Sequence, residues 1–185
     1  MSAKLKKVLK NSKILCLCEG SSEEGIMNLL IDNDELIFKK EQLIQKKVHR
    51  RISVRKVEKK FLGYDYGENL VILRIIDSAN EQFNLKKVYK ENPKIKVETC
   101  LTTPEIEILI IVNEDFLDEY YKVKSKKKPS EFCKQKFKMN DVKKSGVIIE
   151  YFENNSKKLI EVIKIYNRKF PSGSYGLYDL IEEDE

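Results

Sequence analysis

The chain has 185 residues, 41% of them apolar and 36% charged, with a formal net charge of +6. That length suits one domain, or one domain with a helical extension, and the surplus of charge belongs on solvated surface. No apolar run approaches the roughly 20 residues that cross a bilayer, and the basic first ten residues lack the apolar core and cleavage site of a signal peptide, so no membrane partner and a cytoplasmic location are expected.

Residues 13–18, Lys-Ile-Leu-Cys-Leu-Cys, read as a buried strand that ends in Glu19-Gly20. Ser21 or Ser22 then caps a helix, with Glu23 and Glu24 in a first turn where the helix dipole favours acids. Ile26, Leu29 and Leu30 give this helix its apolar face. Residues 34–38 read as a weak second strand. Between 39 and 60, Ile44, Val48, Ile52 and Val57 are spaced mainly for helix, with a strand near 52–57 as the alternative. The segment from Gly63 to Gly67 is a turn. Residues 70–76 form the clearest central strand and end in Asp77. Residues 80–91 read as a helix broken by Pro93, 95–101 as a further strand, and Pro104 as the N1 residue of a helix reaching Val112. Beyond 113 the pattern turns helical, over 116–124, 129–138, 147–152 and 156–168, and the chain closes on an acidic, frayed tail at 179–185.

Alternating strand and helix signals predict an α/β fold, a mostly parallel sheet flanked by helices, over 12–113, followed by a helical extension over 114–178. Strands of such a sheet deliver their last residues to its carboxyl edge, where ligands bind. Glu19 and Asp77 therefore stand side by side in expectation, and carboxylates gathered there hold Mg²⁺ against a phosphate. Glu105 and Glu107 fall in the first turn of the predicted helix. They lie two apart, about 200° around a helix, so only one of them faces the site, and Glu105 is preferred.

Positive charge clusters in 39–60, where Arg50, Arg51, Arg55 and Lys56 suit contact with a phosphate backbone. Lys126, Lys127 and Lys128 precede a helix start at Pro129, another place for phosphate. Tyr64 and Tyr66 can stack on bases or pack in their turn. The four cysteines include no CxxC pair and His49 is the sole histidine, so buried, inert thiols, a surface histidine and no zinc site are expected. Neither GxxxxGK[ST] nor GxGxxG occurs, which argues against nucleoside triphosphate hydrolysis by this chain alone.

The order strand, Glu19-Gly20, helix, then strand, Asp77, then a strand and Thr102-Thr103-Pro104-Glu105-Ile106-Glu107 resembles the Toprim fold. More narrowly, it is similar over roughly residues 12–140 to the small stand-alone Toprim-like proteins of the RloB type, from bacterial and phage-defence settings. The resemblance implies a Rossmann-like Toprim core and a Mg²⁺- or Mn²⁺-dependent nuclease acting on DNA or RNA phosphodiesters in phage defence or abortive infection. It implies Glu19 as the residue of acid–base work and metal binding, Glu23 as completing an E-G-x-x-E pattern, Asp77 as a metal ligand, and Glu105 as a third acidic station. It also implies a partner ATPase of the OLD type. The chain departs from the family where a second aspartate follows Asp77, because Ala79 stands there in Asp77-Ser78-Ala79-Asn80-Glu81. That departure supports an alternative: a non-catalytic Toprim-like module that binds a protein or a nucleic acid.

Overall fold

Near-continuous apolar runs decide the two central strands of the sheet. The computed structural model describes residues 3–153, 156–171 and 173–182. Its strands are β1 (Ser12–Cys18), β2 (His49–Arg50), β3 (Asn69–Ile76) and β4 (Ile95–Leu101), all parallel, in the spatial order β2-β1-β3-β4. In β1, Ile14, Cys16 and Cys18 face one core while Leu15 and Leu17 face another. In β3, Val71, Leu73 and Ile75 join the first core and Leu70 and Ile72 the second. Both faces are therefore covered, as an all-parallel sheet requires.

The larger core lies under α1 (Ala3–Lys10), α2 (Ser21–Asp32), α5 (Ile108–Asn113), α8 (Ser145–Phe152) and α9 (Ser156–Lys169). Here α2 packs on α8, and α5 on α9. Two shorter helices, α6 (Leu117–Tyr121) and α7 (Pro129–Lys136), add Tyr120 and Phe132, which meet edge to face at 5.5 Å. The opposite face is covered by α3 (Val54–Phe61), through Val57 and Phe61, and by the segment around the one-turn α4 (Lys87–Lys90). The fold is thus a Rossmann-like α/β arrangement. From β1 the chain steps outward to β2 on one side and later returns to β3 on the other. The gap between the carboxyl ends of β1 and β3 is the topological switch point, where ligands enter such sheets.

Several segments depart from the sequence-based expectation. Residues 34–38 form no strand. Leu36, Ile37 and Phe38 are buried, but the backbone there meets the C-terminal segment, through a bridge from Leu36 to Ile181 and an Ile37 N–H to Leu180 O bond of 2.9 Å. Their hydrophobicity serves core coverage rather than pleating. The stretch 39–60 is broken by Gln45, Lys46 and Arg51, all with positive φ, which no continuous helix accommodates. It holds two 3-10 turns, Lys40–Gln42 and Ile44–Lys46, then β2 and α3, so its strand lies earlier than 52–57. Of 80–91 only Lys87–Lys90 is helical: the segment is largely exposed, and Phe83 and Leu85, which pack on the smaller core, lie two apart, a spacing that no single helix face takes.

His49 is buried rather than superficial. Its Nε2 donates to Ile44 O at 3.3 Å, its ring meets Phe61 edge to face, and burial lowers its pKa. The C-terminal segment is docked, not frayed, as far as it is described. Leu177–Leu180 forms a 3-10 turn, Glu182 N–H reaches Glu35 O, and the Glu182 carboxylate pairs with Lys6 and Lys10. Residues 183–185 of the expected acidic tail lie outside the described residues. All four cysteines are free and buried. Among the described residues no helix is long and apolar enough to cross a membrane.

Candidate functional site

The parallel register brings Glu19 and Asp77 together. Cys18 is opposite Ile75, and Glu19 N–H continues the ladder to Ile75 O at 3.0 Å. One residue later the pairing passes from backbone to side chain, and the Asp77 N–H donates to Glu19 Oε2 at 3.0 Å. Burial raises the Glu19 pKa. The Asp77 N–H opposes that shift, while the charges of Asp77 and Glu81 reinforce it.

Gly20 is the N-cap of α2, with extended backbone and no side-chain cap. Neither serine caps the helix, because both lie within its first turn, and their hydroxyls bond elsewhere. Ser21 Oγ donates to Lys143 O, and Ser22 Oγ donates to Glu107 Oε1 at 2.7 Å. Gly20 has a different role. A Cβ there would overlap the Glu23 carboxylate and lie 3.3 Å from its Cδ. The glycine of the E-G-x-x-E pattern thus lets Glu23 fold back over the helix start.

Glu23 is only 7% exposed, and its pKa is pushed up to about 7. Burial is the main cause. The charges of Glu107, Asp77 and Glu19 add to it, and hydrogen bonding at its own backbone N–H opposes it. The Glu107 carboxyl is also buried and its pKa raised by burial, with the Ser22 hydroxyl acting against the rise.

These groups line one cleft of about 150 Å³ at the switch point. Its walls include Glu19, Glu23, Asp77, Glu105 and Glu107, with Arg51 and Lys143 as the cations. The chain places both Glu105 and Glu107 there, contrary to the expectation that they face different ways. That expectation assumed a helix from Pro104, whereas α5 begins at Ile108. Before it, Ile106 is fully buried and its two acidic neighbours turn toward the cleft. The alternation acid–apolar–acid was the available signal for Glu107. Nothing in the sequence marked Lys143, which comes from the loop before α8.

Glu105 is already engaged. It accepts from Lys143 Nζ at 2.7 Å and from Ser130 Oγ at 2.8 Å, and Lys128 Nζ lies 3.8 Å away. Burial works to raise its pKa, but the Lys143 and Ser130 hydrogen bonds outweigh it, and the carboxyl sits below its usual value.

The basic residues divide. Arg51 enters the cleft, its Nε donating to Glu19 O at 3.2 Å, and Lys128 approaches through Glu105. Arg50 is drawn aside to Glu24 at 3.5 Å, and Lys127 to Gln135 Oε1. Arg55, Lys56 and Lys126 are exposed and do not line the cleft. Tyr66 OH is bonded to Phe61 O at 2.9 Å, while Tyr64 is 67% exposed.

The donors facing the cleft are hard oxygens. Among the described residues no three His, Cys, Asp or Glu side chains converge as a ready-made metal-ligand group. Mg²⁺ needs no such cage, since it keeps several waters and takes one or two protein carboxylates. Glu19 and Asp77 fit that demand, and crowding among like charges is the condition a divalent cation relieves. No protein-family model matches the chain, and neither does any curated protein or solved structure.

Proposed function

We propose that the chain is a divalent-cation-dependent, Toprim-like phosphodiesterase acting on nucleic acid. The observation that carries this reading is the meeting of Glu19 and Asp77 at the switch point, with Glu23 beside them at a pKa of about 7. Glu19 and Asp77 hold the cation, Mg²⁺ or Mn²⁺, which when bound supplies Lewis-acid stabilisation of charge building on phosphate oxygens. Glu23 is matched to proton transfer near neutral pH, where a group titrating close to the working pH is most effective. Arg51 and Lys143 attract the phosphate to an otherwise acidic cleft. A role in phage defence and an OLD-type ATPase partner remain part of the reading through the sequence resemblance alone.

A second reading has its own support. Ala79 contributes no acid to the loop after β3, and among the described residues no three ligands converge as a ready-made metal group, so a non-catalytic Toprim-like module that binds nucleic acid or a protein is the competing function.

Titration calorimetry with Mn²⁺ or Mg²⁺ tests the first reading. Wild type is expected to bind saturably, and Glu19→Gln and Asp77→Asn each to weaken binding at least about tenfold, or about 1.4 kcal/mol. Binding untouched by both changes would sink the site. Binding that behaves as expected, with no cleavage of single- or double-stranded DNA or RNA, selects the second reading.

A further inference from the structure

Arg74 breaks the pattern of β3. Alternation assigns its position to the smaller core, between Ile72 and Ile76, yet the residue there is a cation only 6% exposed. Its guanidinium lies over the Phe83 ring, 4.7 Å from the centroid. Its terminal nitrogens meet the Glu81 carbonyl at 3.5 Å and the Glu81 carboxylate. Glu81 belongs to no helix or strand, and its side chain is 46% exposed. A buried arginine is costly to desolvate, and an apolar residue would pack there without that cost. Here its counter-charge comes from an exposed loop, not from a neighbouring strand.

Arg74 opens into a cavity of about 340 Å³, within the size range of small-molecule sites. Arg51 also lines it, fixed by backbone and side-chain bonds to Cys18 O and Glu19 O. Among the described residues the terminal nitrogens of Arg51 make no hydrogen bond. Ile52 and Phe83 supply apolar wall, and Glu19 and Arg51 line both this cavity and the acidic cleft.

We propose that this cavity is a nucleotide subsite, in which Arg74 and Arg51 grip one phosphate group and the sugar and base lie against the apolar wall. Glu81 holds the place of the phosphate until a nucleotide displaces it. Arginine suits this task because its planar fork matches phosphate oxygens as it matches a carboxylate. The subsite deepens the phosphodiesterase reading and rests on it for its purpose: a strand anchored here presents its next phosphodiester to Glu19 and Asp77.

The test is run without metal, in the presence of a chelator, so that it is independent of the cation site. Calorimetry compares inorganic phosphate, a nucleoside 5′-monophosphate and a short 5′-phosphorylated oligonucleotide. Wild type is expected to bind the monophosphate more tightly than inorganic phosphate, and Arg51→Gln to weaken it about tenfold. Arg74→Met is expected to abolish binding. Because that variant can fail to fold, Glu81→Gln provides the complementary arm. Removing the resident carboxylate is expected to tighten the monophosphate by up to about fivefold, the weight of a half-exposed ion pair. Tighter oligonucleotide than mononucleotide binding assigns the phosphate to a strand, and the reverse assigns it to a free nucleotide. Absence of monophosphate binding in both wild type and Glu81→Gln overturns the proposal, and equal affinity for inorganic phosphate overturns its nucleotide part. Phosphate binding here with no cation effect of Glu19→Gln or Asp77→Asn sinks the hydrolytic reading and leaves the subsite standing.

Discussion

Glu23→Gln is expected to stabilise the protein at pH 8 by up to about 3 kcal/mol and to leave it nearly unchanged at pH 4.5. The folded-state pKa of Glu23 is about 7, against an ordinary 4.5. Below 4.5 the carboxyl is protonated in both states and costs nothing. Between 4.5 and 7 the folded protein holds a proton that the unfolded chain has released, so stability falls as pH rises. Above 7 the group is ionised in both states and the full penalty is present. Glutamine keeps the shape and never ionises. For a chain of this size the gain at pH 8 corresponds to a rise in Tm of roughly 6–12 °C. Thermal melts of both proteins at the two pH values measure it, and an equal Tm difference at pH 4.5 and pH 8 would refute the assignment. A residue kept where its neutral isostere is more stable points to a functional demand on the charge.

The sheet was largely legible in the sequence. Strands 70–76 and 95–101 lie within one residue of β3 and β4, and 13–18 within one residue of β1: 13–18 and 70–76 are short apolar runs bounded by turn residues, and 95–101 alternates. The neighbouring positions of Glu19 and Asp77 followed from the fold class alone. What was not legible depended on tertiary partners. β2 is two residues long and exists because Leu17 and Cys18 offer it a ladder. The turn at 104–107 keeps both glutamates on one cleft because Ile106 is drawn into the core, a choice that helix propensity does not register. Lys143 arrives from a loop 38 residues after Glu105, and only helix packing brings it there. Arg74 sat in plain view inside an apolar run. Its meaning came only with Glu81 and Phe83, two loop residues that propensity assigned to a helix.

Gly25→Val is expected to destabilise the protein by about 3 kcal/mol and to disturb the cleft through Lys143. Gly25 lies in α2 where α8 crosses it. A Cβ there would meet Ile148 Cγ2 at 2.7 Å, Ser145 O at 3.1 Å and Ser145 Cα at 3.3 Å. The first atom is a methyl on a fully buried side chain and the other two are backbone, so none of them gives way cheaply. Alanine meets the same overlap, but its higher helix propensity recovers up to about 1 kcal/mol, and its loss is expected to be smaller. Valine adds two further methyl groups in the tightest part of the contact. The remedy open to the protein is to move α8 outward, and α8 follows directly on Lys143 and Lys144. Lys143 would then leave Glu105, and the carboxyl that its hydrogen bond holds below the usual value would titrate higher. Urea denaturation reads the stability, and carboxyl chemical shifts followed through a pH titration read Glu105. A valine variant as stable as wild type would show that α2 and α8 are not in close contact. A destabilised variant with an unmoved Glu105 would show that the loop holding Lys143 is positioned independently of α8.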